Sequence, residues 1–295
     1  MSNVTVRIGD FGGESGGESG GESGGRIAGT LTGSAWPPLL TKAPYKWSEI
    51  FPTTTNVVTG ISFPDGAWQP DLKAGAIVAA FASRANWTGD TAITSPVVEK
   101  GTGKVEDDVL TQDLKSLLGY MNDKKNPRVN RREEIVSQAA DMTPYWASLI
   151  ATSAVSRPAT RTVVMVGIQL GAFLANYYKL MYMRARPGQV WPAVAPIIGT
   201  PAHPSYPSGH ATQAHLVGKC LALIDVSLGT LANELADRIA KNREIAGVHF
   251  PTDSAAGEEI AGKAVLILEH IPEFKPILTA AMLEWQGVRL IKPPA

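Results

Sequence analysis

The stretch His203-Pro204-Ser205-Tyr206-Pro207-Ser208-Gly209-His210 runs directly into Ala211-Thr212-Gln213-Ala214-His215-Leu216-Val217, which has the composition of a helix start. Two prolines keep the approach extended, and Ser208 and Gly209 occupy positions where a helix would begin. The first N–H groups of a helix lack intrahelical partners and carry the positive end of its dipole, so they favour an oxyanion. The stretch therefore predicts an anion site, which His210 would face as a proton donor or acceptor.

The chain after Pro70 is helical in pattern. Asp107–Asn122 places apolar residues at intervals of three and four, which is typical of an amphipathic helix. Further helices are predicted over Ala74–Arg84, Arg131–Ala140, Thr160–Met183, Ser208–Asp225, Ser227–Ala246 and Asp253–His270, and Gly247 suits a left-handed C-terminal cap. No run of alternating strand residues follows Gly66, so the predicted fold class is all-α, a helical bundle.

The N-terminal part of the chain differs in composition. The tetrapeptide Glu14-Ser15-Gly16-Gly17 recurs at Glu18 and Glu22, which is typical of a flexible arm. Pro, Thr, Gly and Trp are frequent from Arg26 to Gln69, which indicates an irregular wrapping segment. We therefore predict an arm and irregular segment over residues 1–69 and a helical catalytic domain over residues 70–295.

Composition restricts the partners and the location. The chain has 295 residues, 44% hydrophobic and 18% charged, with a net charge of zero and no long basic stripe, which argues against a nucleic-acid partner. Cys220 is the single cysteine, so no intrachain disulfide can form.

The N-terminus lacks a basic region followed by an apolar one, so a cytoplasmic location is expected by default. The apolar stretch Val163–Met183 is interrupted by Gln169, Asn176 and Lys179, which favours a buried helix over a membrane span.

Three segments carry charge that packing does not require. In the first, Lys179 and Arg186 lie seven residues apart, so both project from one helix face. The second is the opening stretch, and the third runs from Arg243 through His249 to Asp253. Each segment alone could be a surface cation, a helix cap or a structural His–Asp pair. Together they indicate one site, because four of the five histidines (His203, His210, His215 and His249) lie in or beside them.

Lys179-x6-Arg186-Pro187, Pro207-Ser208-Gly209-His210 and Arg243-x5-His249-x3-Asp253 resemble, in order and spacing, a three-part signature. Type 2 phosphatidic acid phosphatases, bacterial class A acid phosphatases and vanadium-dependent haloperoxidases share it. The resemblance covers Tyr178–Gly262, whereas the first 160 residues show no motif. Asn242 departs from the pattern, since the family usually has Ser before the Arg, and this puts in doubt one hydrogen bond behind the site.

The resemblance implies a helical bundle of the haloperoxidase and acid phosphatase type, with a pocket for vanadate or phosphate. The residues that would bind the oxyanion are Lys179, Arg186, Ser208, Gly209, Arg243 and His249. His249 would be the axial ligand of vanadium or the nucleophile that phosphate modifies, with Asp253 fixing its tautomer. His210 would be the acid–base residue.

His203 favours a bromide-oxidising haloperoxidase over a phosphatase, because soluble bromide-oxidising haloperoxidases look similar across His203–His210. The large helical body points the same way. We therefore expect a homo-oligomer with vanadate as cofactor, and with hydrogen peroxide, halide and a small organic acceptor as substrates. A phosphatase acting on phosphate monoesters through a phosphohistidine is the first alternative. A non-catalytic assembly or binding protein with a vestigial oxyanion pocket is the second.

Overall fold

The computed structural model describes residues 68–151 and 156–288. The predicted arm and wrapping segment, residues 1–69, therefore lie almost wholly outside the described residues, and the boundary at residue 70 stays a prediction. Oligomeric state, location and the lack of a nucleic-acid partner likewise stay predictions.

The described residues confirm the all-α class. Their helices are α1 (Pro70–Ala82), α2 (Trp87–Asp90), α3 (Asp107–Asn122), α4 (Pro127–Asn130), α5 (Arg132–Ala140), α6 (Thr143–Leu149), α7 (Pro158–Tyr182), α8 (Pro187–Val190), α9 (Gly209–Ile224), α10 (Val226–Ile245), α11 (Pro251–Leu268) and α12 (Lys275–Glu284). A 3₁₀ turn spans Pro192–Val194, and the β-type pairing within the described ranges is one isolated bridge between Val98 and Val105.

Local chemistry accounts for the helix ends. Prolines occupy the first helical positions of α1, α7 and α11 (Pro70, Pro158 and Pro251), so these helices begin two to four residues before the predicted starts. Ser208 caps α9 by accepting a hydrogen bond from Ala211 N, as the opening stretch predicted. Gly247, just past α10, has a φ of 77°, which confirms its left-handed conformation.

Helix α9 lies at the centre of the bundle and packs against α7, α10 and α11. Most of its side chains are buried on every face, from Gly209 to Ile224. A helix that carries His210 in its first turn is therefore fixed by neighbours on three sides, and all three carry other residues of the signature, Lys179 on α7, Arg243 on α10 and Asp253 on α11.

Glycines on α7 permit a close approach to α9. A Cβ added to Gly171 would lie 2.6 Å from the Cα of Gln213, and one added to Gly167 would lie 2.9 Å from the Cα of Val217. Both contacts involve backbone, which cannot swing aside. Because Gly171 precedes Lys179 by about two turns, this approach helps to set the distance between Lys179 and the loop before α9.

The apolar stretch Val163–Met183, considered above as a possible membrane span, belongs to α7 as far as Tyr182. Within the described residues, the stretch Pro158–Val190 is long and apolar enough to cross a membrane, with a mean hydropathy of 1.3, and 67% of its apolar window is buried in the protein. Burial of this kind suits a core helix, and the absence of a membrane span stays a prediction.

We expect Gly171→Ala to destabilise the protein, because the added methyl overlaps the backbone of Gln213. Overpacking of this kind costs about 1–3 kcal/mol of unfolding free energy. Gly119→Ala is the matched control, because Gly119 is exposed on α3 and has nothing within 4 Å of an added Cβ. Urea unfolding should show a loss for the first variant and a gain of up to about 1 kcal/mol for the second. Equal stability of the two variants would contradict the close approach.

Candidate active site

Lys179 fixes the loop that leads into α9. Its ammonium Nζ donates to the carbonyl oxygens of Pro204 at 2.8 Å, Ser205 at 3.3 Å and Pro207 at 2.7 Å. Only 3% of Lys179 is exposed, and the Tyr206–Pro207 peptide bond in the loop is cis. A buried cation therefore holds three backbone carbonyls of the signature loop in one cluster.

Arg186 connects the same loop to the third segment. Its Nε donates to the carbonyl of His203 at 2.9 Å, and one Nη donates to the carbonyl of Val248 at 2.9 Å. That Nη also lies 3.2 Å from His249 Nε2, and the other lies 3.1 Å from His203 Nδ1. The structure thus brings His203 and His249 together around the Arg186 guanidinium.

His249 and Asp253 form the pair that the spacing predicted. His249 Nδ1 lies 3.1 Å from Asp253 Oδ2, and both residues are fully buried. A guanidinium can only donate, so the contact with Arg186 requires an unprotonated Nε2 on His249. The proton of the neutral ring then sits on Nδ1 and is donated to Asp253. This tautomer leaves the lone pair of Nε2 directed at the cationic side of the site.

Asp253 is held as a carboxylate by several donors. Oδ2 accepts hydrogen bonds from Ser205 Oγ and from Phe250 N, the latter at 2.9 Å. Oδ1 accepts from Arg184 at 2.6 Å. Burial by itself raises the pKa of the Asp253 carboxyl, but the Arg184 guanidinium and the hydrogen bonds from His249 and Ser205 hold the pKa well below its usual range.

Asp113 completes a buried charge cluster behind this pair. Its Oδ2 accepts from Arg184 at 2.8 Å and from Thr252 Oγ1 at 2.5 Å, and its Oδ1 accepts from Thr252 N at 3.3 Å. The Arg184 guanidinium also lies over the Phe250 ring, 3.9 Å from its centroid. A carboxylate from α3 therefore binds the N-terminal turn of α11 and balances the arginine that binds Asp253.

The remaining signature residues are buried at the ends of α9 and α10. Ser208 N donates to the carbonyl of Asp253 at 3.0 Å, which joins the start of α9 to α11. His210 is fully buried, and its Nε2 lies 2.9 Å from the carbonyl of Gln138 on α5. Arg243 is 1% exposed near the end of α10, and its carbonyl accepts from Val248 N at 3.3 Å. Gly209 begins α9 beside them.

Sequence reasoning missed Asp113, Arg184, Ser205 and Gln138 as members of this region. Asp113 carried a usable signal, because it lies three residues after Leu110 and four before Leu117, on the apolar face of its helix. A carboxylate at such a position requires a buried partner. Arg184 lies between Lys179 and Arg186, and Ser205 lies in the stretch before α9, but the signature assigns no role to either position.

The lowered pKa of Asp253 makes the stability of the fold depend on pH. The unfolded carboxyl binds a proton more readily than the folded one, so this contribution is present above the unfolded pKa and is lost as the pH falls below about 4. We expect Asp253→Asn to lower the unfolding free energy at pH 7 by about 3 kcal/mol. Its deficit against the unsubstituted protein should shrink at pH 3 in urea titrations. Glu273→Gln, at an exposed carboxylate, is the control and should show a constant difference. A deficit for Asp253→Asn that is independent of pH would contradict the assignment.

Relatives of the chain carry a phosphatase name. The decaprenylphosphoryl-5-phosphoribose phosphatase of Mycolicibacterium smegmatis is 32% identical over 157 residues, which cover 52% of this chain and 81% of that protein. The protein of the same name from Mycobacterium tuberculosis is 31% identical over 134 residues, 43% of this chain and 71% of its own. No family model matches the chain.

A solved structure also overlaps with this fold. It is the transmembrane PAP2-type phosphatidylglycerolphosphate phosphatase of Bacillus subtilis, which is 15% identical and gives a TM-score of 0.40, with 68% of this chain and 92% of that chain covered.

These relatives correct the expected activity. The vanadate-dependent haloperoxidase assignment is wrong, and with it the oxidation of halide by hydrogen peroxide, because these relatives, at 31–32% identity, are named phosphatases. The signature alone could not separate the two, since phosphate and vanadate are both tetrahedral oxyanions that suit the same cations and the same imidazole. By its identity to these proteins and its coverage of most of their length, the chain belongs to the phosphatase family of the decaprenylphosphoryl-5-phosphoribose phosphatases.

Proposed function

We propose that this protein is a phosphatase that hydrolyses phosphate monoesters through a covalent phosphohistidine on His249. The tautomer of His249 carries the proposal. Its Nδ1 faces the Asp253 carboxylate at 3.1 Å, and its Nε2 accepts from Arg186 at 3.2 Å, so the nitrogen that lies beside the cations is the nucleophilic one.

The buried cations support a phosphoryl site. Arg186 and Arg243 would donate to the phosphoryl oxygens, whereas Lys179 would act through its charge while holding the loop carbonyls. The Gly209 N–H and the Ser208 hydroxyl would add donors at the start of α9, where the helix dipole favours an anion. The Ser208 oxygen accepts from Ala211 N, so its own hydrogen remains a donor. His203, against Arg186, would keep that guanidinium in place.

The proposed reaction has two displacements. In the first, His249 Nε2 forms a bond to phosphorus, the bond to the ester oxygen breaks, and His210 donates a proton to that oxygen. In the second, water attacks phosphorus, its proton passes to His210, and the bond to His249 breaks to release inorganic phosphate. Asp253 would stabilise the His249 ring whenever it carries a positive charge.

The proposed substrate class is a phosphate monoester. The relatives are named for a 5-phosphoribose unit carried on a decaprenyl phosphate, and a phosphorylated sugar of this kind is a candidate to test here. Neither the described cluster nor its cations select one alcohol over another, so the assay begins with simple aryl phosphates.

We expect His249→Ala to lower kcat/KM for p-nitrophenyl phosphate by roughly 10³-fold or more, because the variant lacks the nucleophile. A rapid acid quench with labelled substrate should trap a phosphoenzyme in the unsubstituted protein and none in the variant. His270→Ala is the control, since His270 is exposed and its Nδ1 contacts the Leu266 carbonyl of its own turn at 2.9 Å and the neighbouring Glu269 carboxylate at 3.5 Å, away from the candidate site. Unchanged hydrolysis in His249→Ala would overturn the proposal, and failure of the unsubstituted protein to hydrolyse any phosphate monoester would favour the vestigial-pocket alternative.

The pocket is also expected to bind vanadate, because vanadate is a tetrahedral oxyanion like phosphate. This binding stays a prediction. Bound to an imidazole nitrogen, vanadate adopts the five-coordinate geometry of phosphoryl transfer and should act as an inhibitor competitive with the phosphate ester. Initial rates at varied vanadate and substrate concentrations test this expectation. Inhibition that is independent of substrate concentration would place vanadate outside the proposed site.

A further inference from the structure

His210 is bonded to a helix that lies outside the signature. Its Nε2 lies 2.9 Å from the main-chain carbonyl oxygen of Gln138, and both residues are fully buried. A carbonyl oxygen can only accept, so Nε2 must carry a hydrogen. The contact is compatible with the neutral Nε2–H ring and with the imidazolium, and it is incompatible with the neutral Nδ1–H ring.

The accepting carbonyl belongs to the last turn of α5 (Arg132–Ala140). The last carbonyls of a helix lack intrahelical partners and need hydrogen-bond donors from elsewhere. The neighbouring Ser137 carbonyl accepts from Asp141 N at 3.0 Å. The Gln138 carbonyl is therefore available to His210 only as long as α5 is docked in its present position.

A buried amide pair fixes that position. Asn242 Nδ2, on α10, donates to Gln138 Oε1 at 2.9 Å and to Glu134 Oε1 at 2.8 Å. Gln138 Nε2 donates to Glu134 Oε1 at 3.0 Å, and Arg238 donates to both oxygens of Glu134 at 2.7 and 2.6 Å. Asn242 and Gln138 are both 0% exposed, so breaking their bond would leave buried amides without partners.

The departure of Asn242 from the family pattern has a physical consequence. Its amide donates to two acceptors, and its Oδ1 accepts from Arg131 at 3.2 Å, so it contacts three residues of the α5 region at once. A serine at this position would offer a shorter side chain with a single hydrogen to donate. Asn242 also directly precedes Arg243, a residue predicted to bind the oxyanion. It therefore connects α10, which carries Arg243, to α5, whose Gln138 carbonyl contacts the predicted acid–base residue His210.

We propose that Gln138 and Asn242 are positioning residues for the proton-transfer step. They hold the α5 carbonyl against His210 Nε2, so that Nδ1 exchanges the proton with the leaving oxygen. This inference rests on the proposed phosphatase function. In the first displacement Nδ1–H gives its proton to the ester oxygen as the P–O bond breaks; in the second, Nδ1 takes a proton from the attacking water. Nε2 keeps its hydrogen throughout both steps.

The dependence of rate on the leaving group tests this role. A general acid matters for a poor leaving group such as phenolate and much less for 2,4-dinitrophenolate, which departs without a proton. We expect Gln138→Met and Asn242→Leu to lower kcat/KM for phenyl phosphate by roughly 10- to 100-fold, and for 2,4-dinitrophenyl phosphate by less than about threefold. Asn242→Ser, which keeps one donor, should fall between these variants and the unsubstituted protein.

Gln169→Met is the matched control. Gln169 makes the same kind of link in another part of the bundle, with Nε2 donating to the Asp71 carbonyl at 2.9 Å. This variant should preserve the ratio of the two rates. A purely structural role for Gln138 and Asn242 would lower both rates in parallel, and that result would overturn the proposal.

The histidine tautomer provides a readout that does not need activity. Nitrogen-15 NMR of the histidine rings, with His210 assigned by comparison with His210→Asn, should show a hydrogen on His210 Nε2 in the unsubstituted protein. An Nδ1–H ring there would overturn the proposal even if the variants fail to fold. If the unsubstituted protein hydrolyses neither ester, the proposed phosphatase function fails, whereas hydrolysis with an unchanged ratio in Gln138→Met and Asn242→Leu refutes the positioning role alone.

Discussion

Arg184 lies between two buried carboxylates, and the candidate site depends on this arrangement. It donates to Asp253 on α11 and to Asp113 on α3, and less than 4% of each of the three residues is exposed. A buried charge without a partner costs several kcal/mol, so loss of any one of the three would leave the others uncompensated. Asp253 in turn fixes the tautomer of His249. The balance of charge between Arg184 and the two carboxylates therefore decides which nitrogen of His249 faces the cations of the candidate site.

The groups that would bind phosphate also hold the protein together. Lys179 joins three carbonyls of the loop before α9, and Arg186 joins the His203 and Val248 carbonyls across two segments. The cations are thereby placed before any ligand arrives, and little reorganisation would be needed on binding. Preorganisation of this kind is the main source of electrostatic catalysis. In the proposed site, cations held in this way would suit phosphate and vanadate alike, because both are tetrahedral oxyanions.

The helices were largely predictable from local pattern. Asp107–Asn122 was predicted to its ends because its apolar positions recur at three and four residues, whereas the starts of α1, α7 and α11 were placed too late because each begins with a proline. Helix α12 (Lys275–Glu284) was not predicted. It is a short helix without a side-chain cap, and it is stabilised by packing against α7, where Glu284 accepts from the N–H groups of Ala159 and Thr160 at 2.9 Å.

The sequence by itself determined the all-α class and the three segments that carry Lys179, Arg186, His210, Arg243, His249 and Asp253. Helix period, capping and the spacing within each segment are local properties of the chain. Only the tertiary structure decided that Asp113 meets Arg184 and that the Gln138 carbonyl meets His210, pairs separated by about 70 residues. Such pairings depend on how distant helices dock, and docking follows from close approaches such as that of Gly171 to Gln213, which no local pattern encodes.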